Sequence, residues 1–200
     1  MNNNYRRSWQ GLIPALFILG SPALVYAHTG LGDASGGLIS GLAHPLGGLD
    51  HLCAMIGVGL WAAQRGGRAI WLVPLAFVLV MAVGGLLGMM AISIPFVEPG
   101  IVASVLILGV LIAASVHLPL LVSVLIVGTF ALFHGHAHGA EMPHTASGLM
   151  YGLGFMAATA LLHFVGVGMG LFARQSNSGW LLRSAGAALV LCGIYLALPV

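Results

Sequence analysis

Residues 69–97 carry no acidic, basic or imidazole side chain, and a run of that length is enough to cross a hydrocarbon core, which takes about 20 residues of helix. No soluble fold of this size could hide it together with its neighbours. The whole chain of 200 residues is 60% hydrophobic and 5% charged, with a mean hydropathy of +1.07. Soluble domains hold near-equal shares of apolar and polar residues. The sequence therefore predicts an all-α integral membrane protein.

Punctuation by arginine, proline and glycine divides the chain into six transmembrane helices, over residues 38–63, 69–97, 101–115, 120–133, 147–172 and 180–198. Ahead of them, Arg6 and Arg7 precede an apolar run over 11–25, and Val25-Tyr26-Ala27 offers the small residues of a cleavage site. That run is short for a span and is broken by Pro14 and Pro22. Residues 1–27 are expected to be a cleaved signal peptide, and 28–200 a six-helix transmembrane domain.

Arginines near span ends collect on the cytoplasmic side. Arg65 and Arg68 follow the first span, and Arg174 and Arg183 flank the loop after the fifth. Both loops come out inside, which places the mature N-terminus and the C-terminus outside. All six basic residues are arginine, so the positive balance rests on a handful of side chains and implies no nucleic-acid partner. Cys53 and Cys192 lie singly in apolar runs, a pattern that predicts no structural disulfide.

Ionisable residues at membrane depth are costly and are functional candidates by default. Here they gather in two places. One is His44-Pro45-Leu46-Gly47-Gly48-Leu49-Asp50-His51; the other is Phe133-His134-Gly135-His136-Ala137-His138-Gly139-Ala140-Glu141. The topology brings both to the outer side. His134, His138 and Glu141 fall on one face of a helix, and His136 points away from it. His44 and His51 would also align, although Pro45 and the Gly47-Gly48 pair make an ideal helix doubtful there. A broken helix would bring bare backbone near an ion.

A lone histidine in a bundle commonly serves helix-to-helix hydrogen bonding. Four histidines with two carboxylates at helical spacing argue instead for a metal site. Imidazole and carboxylate without thiolate suit late first-row divalent ions and argue against copper(I) or iron-sulfur chemistry, while nickel, cobalt and zinc stay open.

At these residues the sequence resembles the HupE/UreJ family of hydrogenase and urease accessory proteins, which are nickel or, in some members, cobalt permeases. The family pattern His-Pro-x-x-Gly-x-Asp-His is met by His44, Pro45, Gly48, Asp50 and His51. Its second pattern, Phe-His-Gly-x-Ala-His-Gly-x-Glu, is met by Phe133, His134, Gly135, Ala137, His138, Gly139 and Glu141. The resemblance implies a multi-pass protein of the bacterial inner membrane in which His44, Asp50, His51, His134, His138 and Glu141 handle the metal. It gives His136 no role. The expected partners are a divalent ion, as cargo rather than cofactor, and the lipid bilayer; oligomeric state is not legible.

Other residues carry weaker expectations. His163 lies deep in the fifth span, as a further ligand or a bundle hydrogen bond. Glu98 reads as a solvated residue near the outer surface, His117 as a turn residue, His28 as part of a tail, and Met55 as packing. There is no lysine, hence no Walker A loop, and no His-Glu-x-x-His. Neither ATP hydrolysis nor zinc-hydrolase chemistry is expected from this chain, although a non-transporting metal sensor would carry the same ligands.

Overall fold

The computed structural model describes residues 34–142, 147–176 and 179–198. The expected signal peptide and His28 lie outside them. Seven helices follow one another: α1 (Ala34–Gly47), α2 (Leu49–Arg65), α3 (Ala69–Met89), α4 (Val97–Ala113), α5 (Leu120–Ala140), α6 (Gly148–Gln175) and α7 (Gly179–Ala197). No strand occurs among the described residues.

Four helices, α3, α5, α6 and α7, are long and apolar enough to cross a membrane. The expected first span is instead two helices, α1 and α2, bent by 85° at their junction and passing the same test only as a pair. Gly48 makes the break in extended backbone (φ −105°, ψ 124°). Pro45 and the two glycines weaken the helix there, as the sequence suggested, and the strength of the bend is the correction. Helix α4 is also apolar but has only 17 residues.

Two further boundaries move. The run expected to cross from 69 to 97 ends as a helix at Met89, and Glu98 falls in the first turn of α4, exposed. The fourth span does not stop at Phe133 but runs on to Ala140, so the whole histidine motif is helical. Small residues make this possible. A Cβ on Gly135 would run into Met81 O, and one on Gly139 into Gly85 O, so the polar end of α5 lies backbone to backbone on α3.

Residue order along the contacts gives helix direction. Gly59 meets His163 and Val167, and Gly170 meets Ala63, so α2 and α6 run parallel, while α1 packs through Gly41 on Tyr151 near the start of α6. Gly84 meets Leu132, and Gly88 meets His136 and Ala140, so α3 and α5 also run parallel. The short turn between α2 and α3 sets the two pairs in opposite senses.

The contacts also repeat. Gly59 faces His163 O and Val167 N, as Gly135 faces Met81 O and Gly85 N; Gly166 faces Ile56 O, as Gly84 faces Leu132 O. Gly109 faces Gly186 O and Val190 N, and Gly186 returns the pattern to Gly109 O and Ala113 N. Helices α2, α3 and α4 thus correspond in order to α5, α6 and α7 with the opposite direction across the bundle, the arrangement of many transporters.

Around the interior formed by Met55, Trp61, Phe77, Met81 and Leu108, all close to fully buried, the outward face is apolar too. Trp71, Leu75, Leu121, Leu125, Phe164 and Leu191 are all more than half exposed. Lipid, not water, suits such a surface, and the chain is a multi-pass membrane protein. At the end remote from the histidines, Arg174 donates to Ala63 O (2.7 Å), capping the carbonyl end of α2. At α2–α7, Cys53 and Cys192 meet as free thiols with their Sγ atoms 3.1 Å apart.

Candidate metal site

The bend at Gly48 turns α1 across the end of the bundle, and α5 rises beside it. Two ligand sets result. One joins His51 of α2 to His134 and His138 of α5; the other joins His44 of α1 to His138 and Glu141. Within each set, one ligand atom per residue lies within 4.8 Å of the others. His138 belongs to both.

The deep set is enclosed: His51 and His134 are 0% exposed and His138 9%. Its hydrogen bonds define which nitrogens are free. The Ser104 hydroxyl donates to Ile101 O (2.6 Å), so at its 2.9 Å contact it can only accept, and His134 Nε2–H is the donor. His134 Nδ1 then keeps its lone pair, and it has no partner among the described residues. Thr159 works likewise, donating to Met81 Sδ (3.6 Å) while its Oγ1 accepts from His51 Nε2–H at 3.4 Å. His51 Nδ1 is left unpartnered, as is His138 Nε2. Orphaned nitrogens in a dry interior are costly, and an ion would relieve all three. Outer partners that fix the tautomer of a ligating histidine are usual at metal centres.

The outer set is wetter. The side chains of His44 and Glu141 are 31% and 57% exposed. His44 Nε2 lies 2.8 Å from His138 Nδ1, and Glu141 Oε2 lies 3.2 Å from each of these two nitrogens. Aromatic side chains of α6 wall the two sets. Phe155 stands 5.0 Å from both the His51 and His138 rings, and Tyr151 5.8 Å from His44, measured between ring centres. A mostly apolar cavity of about 340 Å³ adjoins His138, bordered by Met81, Gly85, Tyr151, Phe155 and Met156.

Asp50 joins neither set. It sits half-exposed in the first turn of α2, its Oδ1 so close to Gly48 that a Cβ there would meet it at 2.6 Å. A carboxylate at that position complements the positive end of the helix. His136, on the opposite side of α5, donates from Nε2 to Ile92 O at 2.7 Å and ties the α3–α4 link. His163 is buried in α6, close to Phe77.

Ser104, Thr159, Tyr151 and Phe155 were not singled out from the sequence. Each is an isolated residue in an apolar helix with no motif around it. Only the spacing of Tyr151, Phe155 and Thr159, one turn apart along α6, hinted at a shared face.

The family model described as HupE / UreJ protein matches residues 16–196. The protein named Protein HupE of Rhizobium leguminosarum bv. viciae is 44% identical over 178 residues, covering 89% of this chain and 92% of that one. No solved structure matches. With a match over nearly its full length and both histidine motifs drawn together at one end of the bundle, this chain belongs to the HupE/UreJ family.

Proposed function

We propose that the protein is a nickel permease of the bacterial inner membrane, crossing the bilayer six times, with α1–α2 as the first span and α4 as the third. A helix of 17 residues lies at the short limit for a span. The arginine loops then face the cytoplasm and the histidine end faces outward. The observation that carries the reading is the trio His51, His134 and His138, buried in an apolar bundle with one unpartnered nitrogen each. Hydrogen bonding between helices would have used those nitrogens.

In this mechanism the hydrated ion meets His44 and Glu141, which are open to water, and exchanges part of its shell for imidazole and carboxylate. His138, common to both sets, hands it to His51 and His134. Asp50 offsets the positive end of α2, which would otherwise repel a cation at the mouth. Passage between oppositely directed halves fits alternating access. Imidazole nitrogen and carboxylate oxygen donors suit nickel and also admit cobalt.

Protein in liposomes with a metal-sensitive dye inside tests cargo and flux together. Nickel entry that excess nickel suppresses and equal cobalt or zinc does not would support the reading. Metal bound to the protein without any entry would favour a sensor.

A further inference from the structure

His163 is 1% exposed, and neither of its ring nitrogens meets a hydrogen-bond partner among the described residues. It belongs to neither ligand set. A histidine kept for bundle packing would be expected to spend at least one nitrogen on a hydrogen bond. This one spends none, and apolar residues would fill the same space without the burial cost.

Its place in the fold gives those nitrogens a use. His163 lies one turn beyond Thr159 on the same face of α6, and Thr159 accepts from His51 of the deep set. The Phe77 ring stands between the two levels, 5.9 Å from the His134 ring and 5.2 Å from the His163 ring. In the inverted repeat His163 corresponds to Met81, since Gly59 packs on the carbonyl of the first as Gly135 packs on the carbonyl of the second. Met81 carries the thioether that Thr159 donates to. Thr159 thus joins His51 to the Met81 thioether one helical turn before His163. A mostly apolar cavity of about 290 Å³, lined by Ile70, Pro74, Val78 and Phe164 among others, borders the His163 ring.

We propose that His163 is a separate, deeper ligand for the transported divalent ion, receiving it past Phe77 from the deep set and releasing it toward the opposite end of the bundle. The inference rests on the permease reading. A single imidazole suits this task, because conduction needs a station that binds well enough to draw the ion in and weakly enough to let it go. Three histidines without such a station would hold the ion and pass it on slowly.

The test compares the parent, His163→Leu and His163→Cys, measuring nickel retained by the protein in lipid nanodiscs and nickel entry into liposomes. The leucine variant should keep equilibrium binding at the outer sets and lose about tenfold or more of its entry rate. The cysteine variant, whose thiolate can still ligate, should recover part of that rate and become sensitive to cadmium. Entry within about twofold of the parent in His163→Leu, equal loss in both variants, or loss of outer-set binding in His163→Leu would each overturn the assignment. If the parent itself neither binds nor admits nickel, the permease reading falls instead, and the two failures are told apart.

Discussion

His44 Nε2 and His138 Nδ1 lie 2.8 Å apart although 94 residues separate them in the chain. That contact exists because Gly48 turns α1 through 85° over the end of the bundle. It couples the water-facing ligands to the buried ones. Glu141 completes the outer set from the end of α5, and its removal should weaken capture more than passage. Glu141→Gln is expected to raise the nickel concentration for half-maximal uptake about tenfold with little change in maximal rate. Uptake measured across a nickel series checks this, and a fall in maximal rate alone would contradict it.

Ser104 orients His134 by accepting its Nε2–H. In Ser104→Ala that proton is left unpaired in a dry site, at a cost of about 1–3 kcal/mol, and the ring is free to present the wrong nitrogen. Nickel affinity should drop about 10–100-fold. Equilibrium dialysis gives the affinity, and a thermal melt in detergent without metal gives the stability loss.

The parallel packing of α3 on α5 depends on absent side chains. A Cβ on Gly135 would collide with Met81 O, whereas one on Gly168 would meet nothing within 4 Å. Gly135→Ala should destabilise by about 1–3 kcal/mol through overpacking and disturb His134 beside it, while Gly168→Ala should melt and transport like the parent. Matching melting temperatures for both would contradict the packing.

The thiols of Cys53 and Cys192, 3.1 Å apart between α2 and α7, provide a chemical ruler. Treatment of membranes with a thiol oxidant should join them within one chain, each thiol losing a proton and an electron to the oxidant. Maleimide labelling after oxidation should fall, and return on reduction. Labelling that stays unchanged would mean the two helices do not pack as described.

Much of this was legible beforehand for physical reasons. Hydropathy marks spans because the bilayer leaves the backbone little choice, and histidines in such runs stand out by their cost. Pro45 and Gly47-Gly48 marked a weak point, but the size of the bend depends on how α1 lies against α6, through Gly41 and Gly154. The span was ended at Phe133 because the apolar run stops at His134, although the spacing of the motif already read as one helix face; α3 supplies the glycines on which that helix continues to Ala140. Asp50 joined the metal-handling residues through the family resemblance, and it lies outside both three-residue sets. The inverted halves share almost no side-chain pattern. They share where two backbones touch, as at Gly59 and Gly135, and a sequence shows that only as scattered glycines. Ser104 gave no signal because a single hydroxyl in an apolar helix most often bonds its own backbone.

Uptake of radioactive nickel by cells lacking their own importers tests most directly whether His138 passes the ion from the outer set to the buried one. With equal amounts of protein in the membrane, the parent and His136→Ala should accumulate nickel, because His136 bonds only the backbone of Ile92. His138→Ala should fall to the level of cells without the protein. Nickel accumulation by His138→Ala at the parental rate would contradict the account.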